Sequence, residues 1–301
     1  MASSDENSVR KRIRQPRHPA VALLWPKGLR GPAAAPARPF LRALRQTIQR
    51  DVIPRLVLAH TSQPEQSHAP ESGLHMSAAD ARDCAQCTAE CATRQDARGV
   101  RVCLDRALSW GLPLEQVYIQ ILGGAAGVLG KHWEQDTLNF LQVTIGMGVL
   151  QASLRELAQD HQHEAAGLAS SRRVMLVPTP GECHSFGSSV VAEVFRHRGW
   201  NVESEFSIDC NAITGILRGE WFDVVGLSLG NDRNLHQLSE TIRQIRRHSR
   251  NRRVGILVGG PAFANHPERF TCSGGDAYGT DAVNAVEQAG LLLGLLAGSS
   301  G

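Results

Sequence analysis

Val174-Met175-Leu176-Val177-Pro178 runs into Thr179-Pro180-Gly181-Glu182-Cys183-His184-Ser185-Phe186-Gly187, and Val190, Val191, Val194 and Phe195 follow. This stretch decides the fold. A short, continuous apolar run suits a strand buried on both faces, and the spacing after it suits a helix that covers such a strand. The unit repeats downstream. Val202–Phe206 predicts a second strand with a helix around Ala212–Leu217, and Phe222–Leu227 a third strand whose helix carries Leu235, Leu238, Ile242 and Ile245. Val254–Val258 predicts a fourth strand and Ala282–Leu293 the last helix. Strands alternating with helices over 172–296 imply βαβ units and therefore a parallel, doubly wound sheet of flavodoxin or Rossmann-like type.

Upstream of the strands the periodicity is helical. Leu41, Leu44 and Ile48 share one face of a helix that Pro54 ends or kinks, and a polar linker spans 61–78. Val100 to Trp110 predicts a helix that stops at Gly111-Leu112-Pro113. Leu114, Val117, Tyr118, Ile121, Leu122, Ala125, Val128 and Leu129 then keep helix spacing, and a further helix over 137–159 is expected to carry Leu141, Ile145, Val149 and Ala152 on its inner face. The expected organisation is an arm at 1–39, a helix and polar linker at 40–79, a helical bundle at 80–160 and a linker at 161–172. An α/β domain at 173–296 and a tail at 297–301 complete it. The class is α plus α/β.

Composition narrows the function. Over 301 residues, Lys+Arg 32 against Asp+Glu 29 leaves +3, too close to neutral for nucleic-acid binding over the whole surface. The charge is uneven, however. Residues 1–39 hold Arg10, Lys11, Arg12, Arg14, Arg17, Lys27, Arg30 and Arg38 against Asp5 and Glu6. Six prolines there predict a disordered arm able to make an accessory DNA contact. The densest apolar run, Ala289–Ala297, is half of the roughly 18 residues a membrane span needs. No secretory signal is read in the first thirty residues, and seven cysteines are an odd number, so a reduced, cytoplasmic protein without a disulfide framework is expected.

The least ordinary residues fall at predicted strand ends, where ligands bind in open parallel sheets. These are Thr179–Gly187 after the first strand, Ser228-Leu229-Gly230 after the third and Gly259-Gly260-Pro261 after the fourth. Glycine at such ends lets backbone approach something large. Neither a Gly-Lys-Ser/Thr phosphate loop nor G-x-G-x-x-G is present, which disfavours nucleotides. Glu182-Cys183-His184 sets a carboxylate two residues before an imidazole, a pairing that orients a metal-ligating histidine. Weaker signals are Cys84-x-x-Cys87-x-x-x-Cys91, which suits zinc or an iron–sulfur cluster but lacks a fourth ligand at finger spacing, and His161-x-His163 in a linker. Arg243, Arg246, Arg247, Arg250, Arg252 and Arg253 cluster at a helix end, where cations complement the helix dipole.

Glu182-x-His184-x-x-Gly187, Ser228-Leu229-Gly230 and Gly259-Gly260 together resemble the cobalamin-binding domain of corrinoid proteins. The resemblance implies that His184 is the lower axial ligand of cobalt and that Glu182 orients it. It further implies that Ser185, Gly187, Ser228, Leu229, Gly230, Gly259 and Gly260 line the slot for the displaced nucleotide tail. An upstream helical bundle would cover the upper face, with Trp133 of Gly130-Lys131-His132-Trp133-Glu134 as its aromatic contact. Arg50–His60, Trp133–Met147 and Val225-Gly226-Leu227-Ser228 look like the AerR/PpaA group, cobalamin-binding antirepressors of photosynthesis genes in purple bacteria. That likeness implies a non-enzymatic, light- or redox-responsive regulator that binds a CrtJ/PpsR-type repressor and uses hydroxocobalamin or adenosylcobalamin. The chain departs from the pattern in its leading Glu, in the position of Leu229 directly after Ser228, and at Val143-Thr144. Light-sensing corrinoid regulators carry a Glu-His pair at the last position, so the implied upper ligand is water or hydroxide. The alternatives are a corrinoid methyl carrier and a heme-binding sensor.

Overall fold

The computed structural model describes residues 76–162, 170–182, 185–205, 209–264 and 266–298. They fall within one of two compact units, Pro70–Gly301. The basic arm, the predicted 40–60 helix, His163, Cys183 and His184 lie outside the described residues.

Four helical rods form the first layer. α1 (Ala78–Thr93) starts at a reciprocal cap, in which the Asp80 N–H donates to Ser77 Oγ and the Ser77 N–H to Asp80 Oδ2. α2 (Ala97–Ser109) is capped by Asp96, which accepts from the Gly99 N–H at 2.8 Å. α3 comprises Leu114–Gln116, a π-helical stretch Val117–Gly123, and Gly124–Glu134. Its periodicity predicts a regular α-helix, and the π turn corrects that reading. Bonding to the fifth residue widens the turn, so that Val117, Tyr118, Ile121 and Leu122 are all buried. α4 (Phe140–Asp160) begins at a second reciprocal cap, Asn139 with Gln142.

The second part of the unit is a five-stranded, all-parallel sheet in the order β2-β1-β3-β4-β5. Its strands are β1 (Arg173–Pro178), β2 (Asn201–Ser204), β3 (Val224–Ser228), β4 (Gly255–Gly259) and β5 (Ala277–Gly279). The helices between and after them are α5 (Phe186–His197), α6 (Cys210–Gly219), α7 (Leu235–His248) and α8 (Ala282–Gly298). The doubly wound class expected from the alternation is the one observed. β5 escapes the sequence pattern because it has only three residues and follows two short helical turns, Pro261–Ala264 and Phe270–Ser273.

Alternation along the strands separates two cores. Val174, Leu176, Val224 and Leu257 face Phe195 and Ala289, and that cluster runs on without a break into the bundle through Val117, Ile121, Leu122 and Leu154. Met175, Val177, Val225, Leu227, Ile256 and Val258 face Ile213, Leu217, Leu238, Ile242 and Ile245 on the opposite side. The bundle is therefore a further layer, packed on the α5 side of the sheet. A bidentate ion pair reinforces the junction. Arg198, just after α5, donates through Nη2 to Glu115 Oε2 at 2.6 Å and through Nε to Oε1. Glu115 is buried, and the pairing holds the Arg198 guanidinium above its ordinary pKa. Removing the guanidinium strands a desolvated carboxylate, whereas a lysine restores charge without the fork. Arg198→Ala is expected to lower stability by about 1–3 kcal/mol in urea denaturation, and Arg198→Lys to recover only part of that loss.

Candidate functional site

Parallel pairing aligns the strand ends. Pro178 pairs with Ser228, Ser228 with Gly259 and Gly259 with Gly279, giving one row of residues across four strands. At about 4.8 Å per strand the row is roughly 14 Å long. Ser228 and Gly259 come from the segments that the sequence singled out, Pro178 directly precedes the first of them, and Gly279 joins unannounced. The order 2-1-3-4-5 puts the topological switch between β1 and β3, so the loops that follow these strands flank the crevice of such a sheet.

Those two loops are tied together. The Thr179 N–H and hydroxyl both donate to the Ser228 carbonyl, at 2.9 and 2.8 Å. The Glu182 N–H turns back onto the Thr179 carbonyl, and its carboxylate accepts from the Gly230 N–H at 2.8 Å. A Cβ at Gly230 would lie 2.7 Å from that carboxylate oxygen, so this glycine permits the clamp. Asn234 Nδ2 adds a longer contact to the Gly181 carbonyl at 3.4 Å. On the other side the Leu229 N–H donates to the Gly259 carbonyl. Gly260 has φ +104°, and its Cβ would lie 2.5 Å from the Leu229 carbonyl oxygen. Only glycine combines that backbone conformation with that proximity.

α5 rises from this edge. Ser185 occupies its N-cap position and makes no side-chain cap, and Ser188 of the first turn shares a hydrogen bond with Ser228 between hydroxyl oxygens 2.8 Å apart. Gly187 differs from Gly230 and Gly260, because no described atom comes within 4 Å of where its Cβ would be. The first turn thus opens on space, bordered by the Ser188–Ser228 pair. The Leu229 side chain is wholly buried in the core, which leaves its backbone as the part presented at the strand end.

Trp133 lies in the bundle, near the carboxyl end of α3. Arg198, just after α5, meets Glu115 of α3, and Gln151 Nε2 of α4 donates to Ser189 Oγ of α5, 3.1 Å away. Trp133 meets Phe140 edge-on, with centroids 6.2 Å apart, and Leu141 is beside Phe140 in sequence. All three are exposed, Phe140 to 71%. An exposed apolar tip of this kind suits a large flat ligand. His132 Nδ1 is 2.7 Å from Thr137 Oγ1, and the Thr144 hydroxyl donates to the Phe140 carbonyl.

The structure brings Glu182, Ser185, Gly187, Ser228, Gly230, Gly259 and Gly260 together at one edge, while Trp133 lies in the bundle near the end of α3. Sequence reading missed Ser188, Asn234 and Gly279, whose roles depend on partners in other segments, and also Phe140; Leu141, expected on the inner face of its helix, is exposed instead. The arginine cluster of α7 is partly engaged elsewhere. Arg246 pairs with Asp276, Arg250 donates to the Gly219 carbonyl and Arg252 to the Arg247 carbonyl.

Residues 172–287, which span the five-stranded sheet, match the family described as the B12 binding domain. The chain is also 25% identical over 170 residues to an uncharacterized 20.5 kDa protein in the bchF-crtJ intergenic region of Rhodobacter capsulatus. That alignment covers 56% of this chain and 88% of the relative. Among solved structures, the Methanosarcina barkeri monomethylamine corrinoid protein superimposes with a TM-score of 0.57 at 13% identity, over 71% of this chain and 99% of that one. That likeness is one of fold. Among the described residues no helix is long and apolar enough to cross a membrane.

Loss of the Glu182 clamp leaves the Gly230 N–H without its acceptor. Glu182→Ala is expected to cost about 1 kcal/mol in urea denaturation and to accelerate hydrogen exchange at the Gly230 amide, with Glu182→Gln closer to the parent.

Proposed function

We propose that this protein holds a cobalamin between the carboxyl edge of its sheet and the apolar tip of its bundle, and acts as a light- or redox-responsive antirepressor rather than an enzyme. The observation that carries the reading is the row of strand ends on which Ser228, Gly259 and Gly279 stand in register, with the exposed Gly187 in the first turn of α5. Backbone without a Cβ beside a strand end is what a nucleotide tail needs for close approach. In this reading His184 supplies the lower imidazole, and the Glu182 clamp sets the loop that carries it. When bound, the cofactor contributes a light-labile bond on its upper face.

The protein's part is to position and to report. Trp133, Phe140 and Leu141 cover the upper face from α3 and α4, and a change there alters what these residues touch. α3 and α4 share one core with α5, so movement of the tip is felt along the bundle. At Val143-Thr144 the chain offers no imidazole, which favours water or hydroxide on the upper face after an alkyl group is lost under light. A regulatory role draws support from the relative in the bchF-crtJ interval and from the likeness to the AerR/PpaA group, and the partner it implies is a CrtJ/PpsR-type repressor.

Hydroxocobalamin and adenosylcobalamin, each added to purified protein, should give a bound corrin spectrum, and adenosylcobalamin one that changes on illumination. His184→Ala should shift that spectrum and weaken retention at least tenfold. A corrin spectrum identical in the variant, or porphyrin absorption in its place, would overturn the reading, as would loss of repressor binding in both light and dark. Methyl transfer from the reduced corrinoid to a partner would make the protein a carrier instead. A second variant tests the crevice. Gly187→Leu should keep the melting temperature within a few degrees while corrinoid binding falls at least tenfold by spectral titration.

A further inference from the structure

Three thiols outside the corrinoid site meet in the bundle. Cys87 and Cys91 lie one turn apart on α1, Cys103 reaches them from α2, and the three sulfurs lie within 4.8 Å of one another. The Sγ atoms of Cys87 and Cys103 are 3.6 Å apart. A tetrahedral thiolate centre with a metal–sulfur bond of about 2.3 Å sets its sulfurs about 3.8 Å apart, so little movement separates this cluster from a coordination shell. The sequence pattern pointed to Cys84 as the third member, but its thiol donates instead to the Cys103 carbonyl, 3.4 Å away inside the core. The ligand set is thus assembled by packing of two helices and not by the Cys-x-x-Cys spacing.

The surroundings suit an ion. Cys87 is exposed, Cys91 half-buried and Cys103 buried, which gives an entry path from solvent to the deepest sulfur. Asp96 stands beside the cluster. Its Oδ2 and the Cys91 Sγ lie 2.4 and 2.8 Å from the one point that a Gly99 Cβ would occupy, so no side chain separates carboxylate from thiol. Hard cations such as magnesium and calcium prefer oxygen shells, whereas three sulfurs select a soft or borderline ion.

We propose that Cys87, Cys91 and Cys103 bind one Zn²⁺ as thiolates, with a water held by Asp96 in the fourth position. Binding replaces three thiol protons by one cation and ties α1 to α2. Burial, with Cys87 crowded alongside, pushes the Cys103 thiol up to about 12, and burial raises Cys91 as well. These groups carry protons at neutral pH without the ion, so zinc affinity rises with pH and binding releases protons.

The test uses the full chain without an affinity tag, purified under reductant and free of corrinoid, so that failure of the cofactor reading does not affect it. After dialysis against micromolar zinc, elemental analysis should find about one zinc per chain in the parent and in Cys272→Ser, a distant exposed thiol. The zinc should be lost in Cys87→Ser and Cys91→Ser. Cys87 is exposed, so its variant tests the site without disturbing the core. Substituted Co²⁺ should give thiolate charge-transfer absorption in the parent and in Cys272→Ser but not in Cys87→Ser or Cys91→Ser. No retained zinc in the parent, zinc equal to the parent's in the two serine variants, or a Cys87–Cys103 disulfide that persists under reductant would overturn the proposal.

Discussion

Parallel strand pairing brings Pro178, Ser228, Gly259 and Gly279 to the same height, and every other feature of the corrinoid site is placed relative to that row. The ladder hydrogen bonds leave no freedom to slide one strand end against the next without turning its buried residues to the wrong face. Loops can therefore be short and still meet. Glu182 reaches Gly230 across the switch point because β1 and β3 end together, and the same alignment puts Ser188 against Ser228. Two of the four residues in the row are glycines, so half of it presents backbone without a side chain.

The bundle matters through its rigidity. Its core is continuous with that of the sheet, and the Glu115–Arg198 and Gln151–Ser189 contacts hold α3 and α4 against opposite ends of α5. Among the described residues of the bundle, Trp133, Phe140 and Leu141 are large apolar side chains left in solvent. The thiol cluster lies in the same bundle, on α1 and α2, so a cation there would tie these two helices together.

Where sequence reading and structure differ, the reasons are physical. Eight apolar positions from Leu114 to Leu129 fit helix spacing, yet a π turn interrupts them, since periodicity reports burial and not the hydrogen-bond step that achieves it. β5 was invisible because three residues cannot establish an alternation. Cys103 stood 12 residues beyond the Cys87-x-x-x-Cys91 pair with nothing local to link them, and helix packing made it their neighbour. Leu229 sat in a segment chosen for its place after a strand, but the pleat sends its side chain into the core.

The amino-acid sequence alone determined the class of fold, the number of βα repeats before the short last strand, and the segments on which the site would fall. It could do so because burial on two faces and helix amphipathicity are local patterns. Which of those residues touch was decided only by tertiary structure. The Glu182–Gly230 clamp, the Ser188–Ser228 hydrogen bond and the Glu115–Arg198 pair each depend on register and packing between segments tens of residues apart, and no local pattern encodes such distances.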